Sequence, residues 1–464
     1  MGKIHHKSGF FKLQIKLFIR NFSPYGSPAK PAGPEENTKK FFFTENPLKK
    51  YKKTPYYLSV RNKPKKRDSG GSMAKKRRLF LSDYCLTPHV NIPQAGILCE
   101  GWKVIGIGGI SAFSMDEEGL EVINLEGCYA LPGLIDSHIH GGGSFDAERA
   151  SVPGQKLQDL SLFLASRGVT SFLPTLVSME RKEMLRVLSD LAGMMDDPMP
   201  GAIPCGIHLE GPFINPEKCG SQRKDACVEV DLVFAKELLD AGKGRIKLLT
   251  FAPELKNADQ LVELMLDNGV IPSMGHSAAD AKTTLRIIDC GARRCTHLYN
   301  GLPTLHHRKS SITDVALTHD DVSVELILDG AHIEPRMVDL TARVKPKGKL
   351  IGVSNCMNYS RDFNPGFYEK NGRIYSGDGV IAGTSLTLDT GWKHLRNYSG
   401  MPSNEAAACF TSNPAKDLGL ITRGELTPGK RADITFFDSE SGKVMMTVAN
   451  GVIVYDAKNN PKPL

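Results

Sequence analysis

The chain has 464 residues, 41% of them hydrophobic and 24% charged, with 45 glycines and a formal charge of +8. That length suits one large domain plus a smaller one, and the composition excludes wholesale disorder and collagen-like repeats. No uninterrupted apolar run reaches the ~18–20 residues of a membrane span, so no membrane partner is expected.

In chain order, the first 72 residues stand apart. They carry 17 Lys/Arg against 4 Asp/Glu, a local balance of +13, whereas the remainder is at −5. Lysine clusters (Lys49, Lys50, Lys52, Lys53, then Lys63, Lys65, Lys66 with Arg67) follow Phe41-Phe42-Phe43, and the segment closes on Ser69-Gly70-Gly71-Ser72. Blocks of like charge are usually solvated, so residues 1–72 read as a disordered basic extension, with Met73 an alternative start. A basic arm with stacking aromatics would suit single-stranded nucleic acid, but no nucleic-acid partner is expected from a segment whose charge the folded body does not share. It lacks a continuous apolar region ahead of a small-residue cleavage site, so a secretory signal is not expected. The ten cysteines form no Cys-x-x-Cys pair, which points to free thiols and a cytoplasmic location.

From Met73 onward short strand-like runs appear at Arg78–Leu81, Trp102–Ile107 and Glu121–Leu125. Similar runs close the chain at Ala432–Phe437 and Lys443–Tyr455, the second interrupted by Asn450-Gly451. Strands at both ends can pair into one β-sandwich domain, from 73–131 and 419–464, with the middle inserted between them.

The middle, 132–418, alternates. Eight apolar strand candidates lie at Leu134–His140, Thr170–Leu176, Ala202–Glu210, Lys247–Pro253, Val270–His276, Arg294–Leu298, Ser323–Asp329 and Lys349–Asn355. Helical i, i+3, i+4 patterns fall between them, such as Leu157/Leu160/Phe163/Leu164, Met184/Leu185/Leu188/Leu191 and Leu261/Leu264/Met265. Eight such units predict an α/β fold of the (β/α)8 TIM-barrel type. A doubly wound open sheet is disfavoured, because no Gly-x-Gly-x-x-Gly turn follows a first strand.

Several of these strands stop at a side chain able to hold a metal. The first ends in Asp136-Ser137-His138-Ile139-His140, and alternation places both histidines on one face. The third ends in His208-Leu209-Glu210, the fifth in Gly275-His276 and the sixth in Thr296-His297. A single strand-end histidine is usually just a solvated loop residue. Five donors on four strands, all at the end where barrel active sites form, are hard to read as independent accidents. His138, His140, Glu210, His276 and His297 make a nitrogen–oxygen set suited to a divalent ion, zinc first, with iron, cobalt or manganese as alternatives. The set contains no cysteine, which favours an open catalytic site over a closed structural one. Such a site suits hydrolysis of an amide or ester, for which a general base would be sought at the end of strand eight. The residue there is Asn355, whose amide cannot accept a proton.

Six ordered segments carry a family resemblance: LPGLIDSHIHGGG (131–143), HLEGPFINPEKCGSQ (208–222), MGHSAAD (274–280), THLYNGLPTLHHR (296–308), LILDGAHIEP (326–335) and DGVIAGTSLTLD (378–389). With the closing GELTPGKRADITFFD (424–438), the chain resembles the N-acetylglucosamine-6-phosphate deacetylases of the metal-dependent amidohydrolase superfamily. The resemblance implies a (β/α)8 barrel with a small β-sandwich, a homodimer, and hydrolysis of an N-acetylated amino-sugar phosphate to glucosamine 6-phosphate and acetate. It makes Glu210, His276 and His297 the main metal ligands, and His138 with His140 the pair that can hold a second ion, so one or two ions per subunit are implied. Asn300 and Gly301 fall at substrate-contacting positions, His332 at a sugar-site histidine, and Arg308, beside His307, at the phosphate-binding arginine that can reach a neighbouring subunit. The chain departs from the family at three places. Asn355 stands where the family has its catalytic Asp, Gln222 where many members have a His near the substrate, and Lys309-Ser310-Ser311 where a Pro-Gly turn is usual. The first departure gives an alternative expectation, a sugar-phosphate binder with impaired catalysis, unless another group such as Asp362 handles the proton.

Overall fold

The computed structural model describes residues 76–358, 366–377 and 379–459. The expectations for residues 1–72 and for Asp362 fall outside these residues. Four strands open the described chain: β1 (Arg77–Leu86), β2 (Asn91–Glu100), β3 (Lys103–Gly109) and β4 (Leu120–Pro132). Eight barrel strands follow: β5 (Leu134–Ile139), β6 (Val169–Val177), β7 (Ile207–Glu210), β8 (Ile246–Phe251), β9 (Ile271–Met274), β10 (Arg294–Cys295), β11 (Ser323–Ile327) and β12 (Leu350–Val353). After them come a three-stranded antiparallel sheet, β13 (Phe367–Lys370), β14 (Arg373–Ser376) and β15 (Ile381–Thr384), and the closing strands β16 (Ile434–Asp438), β17 (Val444–Ala449) and β18 (Val452–Asp456).

Strands from the two chain ends join in one sheet and not in the two layers of a sandwich. The order β18-β17-β16-β4-β1-β2-β3 runs unbroken through one seven-stranded sheet, antiparallel except for the β1–β4 pair. It covers its own apolar core, in which Phe80, Ile97, Phe436 and Val448 are wholly buried and the Phe80 and Phe436 rings lie 5.6 Å apart. Strand β2 has no counterpart among the sequence-predicted runs because Pro93 and Gly96 interrupt its pattern. Gly96 is there for space, since a Cβ at that position would sit 2.6 Å from the Phe113 ring.

The barrel strands pair in parallel from β5 through to β12. Across the last seam, Asn355 N–H donates to His138 O at 2.9 Å and His140 N–H to Cys356 O at 2.8 Å. Helices α1 (Leu157–Ser166), α2 (Arg181–Met194), α3 (Leu232–Ala241), α4 (Ala258–Asp267), α5 (Ala281–Cys290), α6 (Ile312–Thr318) and α7 (Pro335–Val344) alternate with the strands. α8 (Leu388–Ser399), α9 (Ser403–Ala408) and α10 (Ser412–Asp417) follow strand eight. The leucine patterns read from sequence are the buried faces of these helices: Leu157, Leu160 and Leu164 in α1, and Leu261 with Met265 in α4. Side-chain caps start several of them, such as Asp231 on α3 and Asp280 on α5, each accepting from backbone N–H groups that a first helical turn leaves unpaired. None of these helices is long and apolar enough to cross a membrane.

Six of the eight observed barrel strands stop short of the sequence-predicted ones at the C-terminal end, whereas β6 runs one residue past its expected end and β7 ends at Glu210 as expected. β9 ends at Met274 rather than His276, β10 at Cys295 rather than Leu298, and β12 at Val353 rather than Asn355. The residues beyond the last ladder bond have left extended geometry: φ is +46° at His276, +25° at His297 and +51° at Asn355. Left-handed backbone at a non-glycine residue costs energy and concentrates at functional sites. Apolar patterning cannot register this change, because the side chains stay buried through the turn.

Candidate metal centre

The strand ends bring together all five donors read from the sequence. Glu210, at the tip of β7, is the hub: its Oε1 lies 2.8 Å from His297 Nε2 and 3.0 Å from His276 Nε2, and those two nitrogens are 3.2 Å apart. On the other side His138 Nε2 is 3.5 Å from Glu210 Oε1, and His140 Nε2 is 3.6 Å from Oε2. Two potential sites therefore share one carboxylate, His138/His140/Glu210 and Glu210/His276/His297, and every member is buried. Ligands bonded at ~2.0–2.2 Å in a tetrahedron sit about 3.3 Å from one another, close to the spacing seen here.

The donor set fits a cation. His138 Nε2 is buried with no hydrogen-bond partner, an arrangement that costs free energy unless something else is held there. His276 Nδ1–H donates to Lys218 O at 2.8 Å, which turns Nε2 towards Glu210 as the nitrogen available to a cation. Gly301 makes room for that arrangement, since at φ +62° it lies where a Cβ would come within 2.9 Å of both His276 Nδ1 and Lys218 O. His208 shares the inward face with Glu210 but sits one layer deeper. There its ring packs on His138, and its nitrogens meet Thr175 and Thr250, so it serves as a support and not as a ligand.

Charge follows geometry. Burial alone would raise the Glu210 carboxyl, but the charge of His138 and hydrogen bonds from the surrounding imidazoles outweigh it and hold Glu210 well below the usual range. Burial keeps His140 neutral, pushing it down to about 4, and also lowers His297. Neutral imidazole and ionised carboxylate are the forms a metal ligand must take. His138 differs: burial would depress it, yet Glu210 and Glu325 on either side raise it to about 10. Cation binding at its Nε2 would therefore release a proton.

A cavity of about 800 Å³ opens over this cluster, within the usual range for a small-molecule site. Gln222, Asn300, Gly301, His332 and Asn355 all line it. Asn355 places Oδ1 3.1 Å from His140 Nε2. Gln222 Oε1 accepts from Ser178 N–H, while its buried Nε2 has no partner. His332 is held by Asp329, whose Oδ2 lies 2.8 Å from Nδ1. His307 and Arg308 are not brought to this cavity by their own chain; they lie on an exposed loop, with the His306 and His307 rings stacked.

Two kinds of functional group escaped the sequence reading. Glu148 lines the cavity, where burial and the charges of Asp146, Glu210 and Glu183 push its carboxyl up to about 8; it follows no recognisable motif. Glu325 and Arg294 lie beneath the donors on strands that the sequence reading took for their apolar residues and strand-end donors. A charged residue inside an apolar run is the cue that could have found them, since such groups are buried only when paired.

Comparison with known proteins agrees with this geometry. The model of the Amidohydrolase family matches residues 129–454. An N-acetylglucosamine-6-phosphate deacetylase of Bacillus subtilis (strain 168) is 34% identical over 340 residues, 71% of this chain and 85% of its own length. An N-acetylgalactosamine-6-phosphate deacetylase of Escherichia coli O157:H7 is 29% identical over 66% of this chain and 83% of its own. Among solved structures, a mutant N-acetyl-D-glucosamine-6-phosphate deacetylase from Mycobacterium smegmatis, in complex with N-acetyl-D-glucosamine-6-phosphate, is similar with a TM-score of 0.74. That likeness has 26% identity and covers 82% of this chain and 99% of that one.

Proposed function

The chain belongs to the amidohydrolase family, and we propose on that premise that it hydrolyses the N-acetyl group of N-acetyl-D-glucosamine 6-phosphate, giving glucosamine 6-phosphate and acetate. The observation that carries this reading is the convergence of Glu210 with His276 and His297 on one side and His138 and His140 on the other, with all but the deeper His138 lining a cavity sized for a sugar phosphate. These five residues would hold one or two divalent ions, zinc by the balance of nitrogen and oxygen donors. When bound, such an ion would supply Lewis-acid polarisation of the amide carbonyl and activation of the attacking water.

The chain's own residues do the rest. Asn355 can orient a reacting group through its carboxamide but cannot take a proton. With Nδ1 of His332 engaged by Asp329, Nε2 remains for a substrate hydroxyl or phosphate oxygen. The unpaired Nε2 of Gln222 offers a donor, and the Asn300-Gly301 turn forms part of the wall. His307 and Arg308 would reach a phosphate only in a second copy's cavity, which makes a homodimer the working unit. Arg308 suits that task, because a guanidinium fork binds two phosphate oxygens at once. Ten free cysteines support a cytoplasmic location.

The test is direct. Metal-loaded protein is incubated with N-acetylglucosamine 6-phosphate and with its galacto epimer, and free amine is assayed. Turnover is expected on the gluco substrate, and none above the metal-free control would defeat the reading. Greater turnover on the galacto epimer would reassign the ring stereochemistry and leave the reaction in place.

A further inference from the structure

Beneath the five donors lies a closed polar chain that no ligand role explains. Glu325, wholly buried on β11, uses both carboxylate oxygens fully. Its Oε2 lies 3.0 Å from His138 Nδ1 and accepts from His297 N–H at 3.2 Å. Its Oε1 accepts from Arg294 Nε at 2.9 Å and Nη2 at 2.6 Å. A carboxylate offers about four acceptor positions, and here all four are taken.

Arg294 is equally enclosed. This wholly buried guanidinium also donates through Nη2 to Ser137 Oγ at 2.6 Å and through Nη1 to Asp417 at the end of α10. The chain Asp417–Arg294–Glu325 thus crosses the barrel floor and ends on the ring nitrogen of His138 opposite the one that faces Glu210. With Nδ1–H committed to Glu325, Nε2 of His138 is the nitrogen that faces the shared carboxylate and is left for a cation. The same Oε2 also holds the backbone of His297, which belongs to the other half of the centre. A buried ion pair kept only for folding would need neither contact.

We propose that Glu325, anchored by Arg294, is a positioning residue that fixes the ring orientation and tautomer of His138. The inference rests on the proposed metal-centre reading, in which His138 is a ligand. Partners of this kind behind a ligating imidazole are typically worth 10–100-fold in metal affinity.

The test is competition for Zn²⁺ between the full-length protein and a chromophoric chelator, for wild type, Glu325→Gln, His138→Ala and the double variant. Glu325→Gln is expected to weaken zinc binding by about 10–100-fold. In the His138→Ala background it is expected to add less than about twofold, because non-additivity marks a residue acting through its neighbour. Wild-type affinity in Glu325→Gln beside weakened His138→Ala overturns the inference and leaves the ligand reading intact. Full affinity and stoichiometry in His138→Ala overturns the ligand reading itself. Equal losses in both backgrounds show a purely structural role and overturn the inference. Should Glu325→Gln not fold, Glu325→Asp keeps the charge for Arg294 but retracts the carboxylate, and the same loss is expected. Nitrogen-15 spectra of zinc-loaded wild type provide a readout without any variant: a proton on His138 Nδ1 is expected, and its absence contradicts the proposal.

Discussion

The barrel rim and the seven-stranded terminal sheet are built on opposite plans. In the sheet, β1, β2 and β4 run for 10, 10 and 13 residues, and the core between them is apolar. At the rim, β9 and β12 last only 4 residues and β10 only 2, and three of the residues beyond them take left-handed backbone. Buried histidines, carboxylates and an arginine fill the space that aliphatic side chains fill elsewhere. The contrast teaches that regular, apolar structure supplies stability, while the rim tolerates strain and buried charge so that donors converge. Stability and metal binding should therefore separate by region.

The largest effect expected is at the shared ligand. Glu210→Ala removes the carboxylate common to both potential sites and should lower turnover at least about 10³-fold, with metal content falling in parallel. Elemental analysis and the amine assay check this. Retention of metal would show that the two halves do not depend on their common oxygen.

The reciprocal experiment lies in the sheet. Phe436→Ala empties a wholly buried site and should cost about 3–5 kcal/mol of unfolding stability, read by denaturant titration. Zinc affinity of the folded variant should match wild type. A loss of affinity would break the separation between the regions.

A sharper probe sits at the rim itself. Asn355→Asp puts a proton acceptor where the carboxamide now lies 3.1 Å from His140 Nε2. It should raise kcat by about 10²-fold, the lower end of what a positioned base contributes, and leave KM nearly unchanged. An unchanged kcat would show that proton transfer is already handled by another group.

The smallest effect expected is a control outside both regions. Lys345 is enclosed at the end of α6, where Nζ donates to Ala316 O at 2.9 Å and His319 O at 2.8 Å, and burial lowers its pKa to about 8. The unfolded chain keeps an ordinary lysine at ~10.4, so between the two values it binds more protons than the folded state. Stability contributed by this group therefore rises with pH from about 8 towards 10. The difference in melting temperature between Lys345→Met and wild type should shift across that window in favour of wild type. A flat difference would refute it.

Much of the molecule was legible before its coordinates. Eight apolar runs separated by helical patterns state a barrel, and metal-capable side chains at their ends state the site, because both signals are periodic and local. What could not be read is what depends on distance along the chain. Glu325 meets His138 across 187 positions and Arg294 meets Asp417 across 123, so no window of sequence contains either pair. The overlong strands had a different cause. Burial continues through His276, His297 and Asn355 while the backbone turns, and hydrophobic pattern reports burial, not φ. His307 and Arg308 were expected at a phosphate, yet their own chain does not bring them to the cavity.

The most direct test of the central claim is an anomalous-scattering map at the zinc edge from crystals grown with Zn²⁺. Density is expected between Glu210, His276 and His297, with ligand distances of ~2.0–2.2 Å, and any second peak should lie beside His138 and His140. A map with no peak at Glu210, or with zinc bound elsewhere on the chain, would contradict the account.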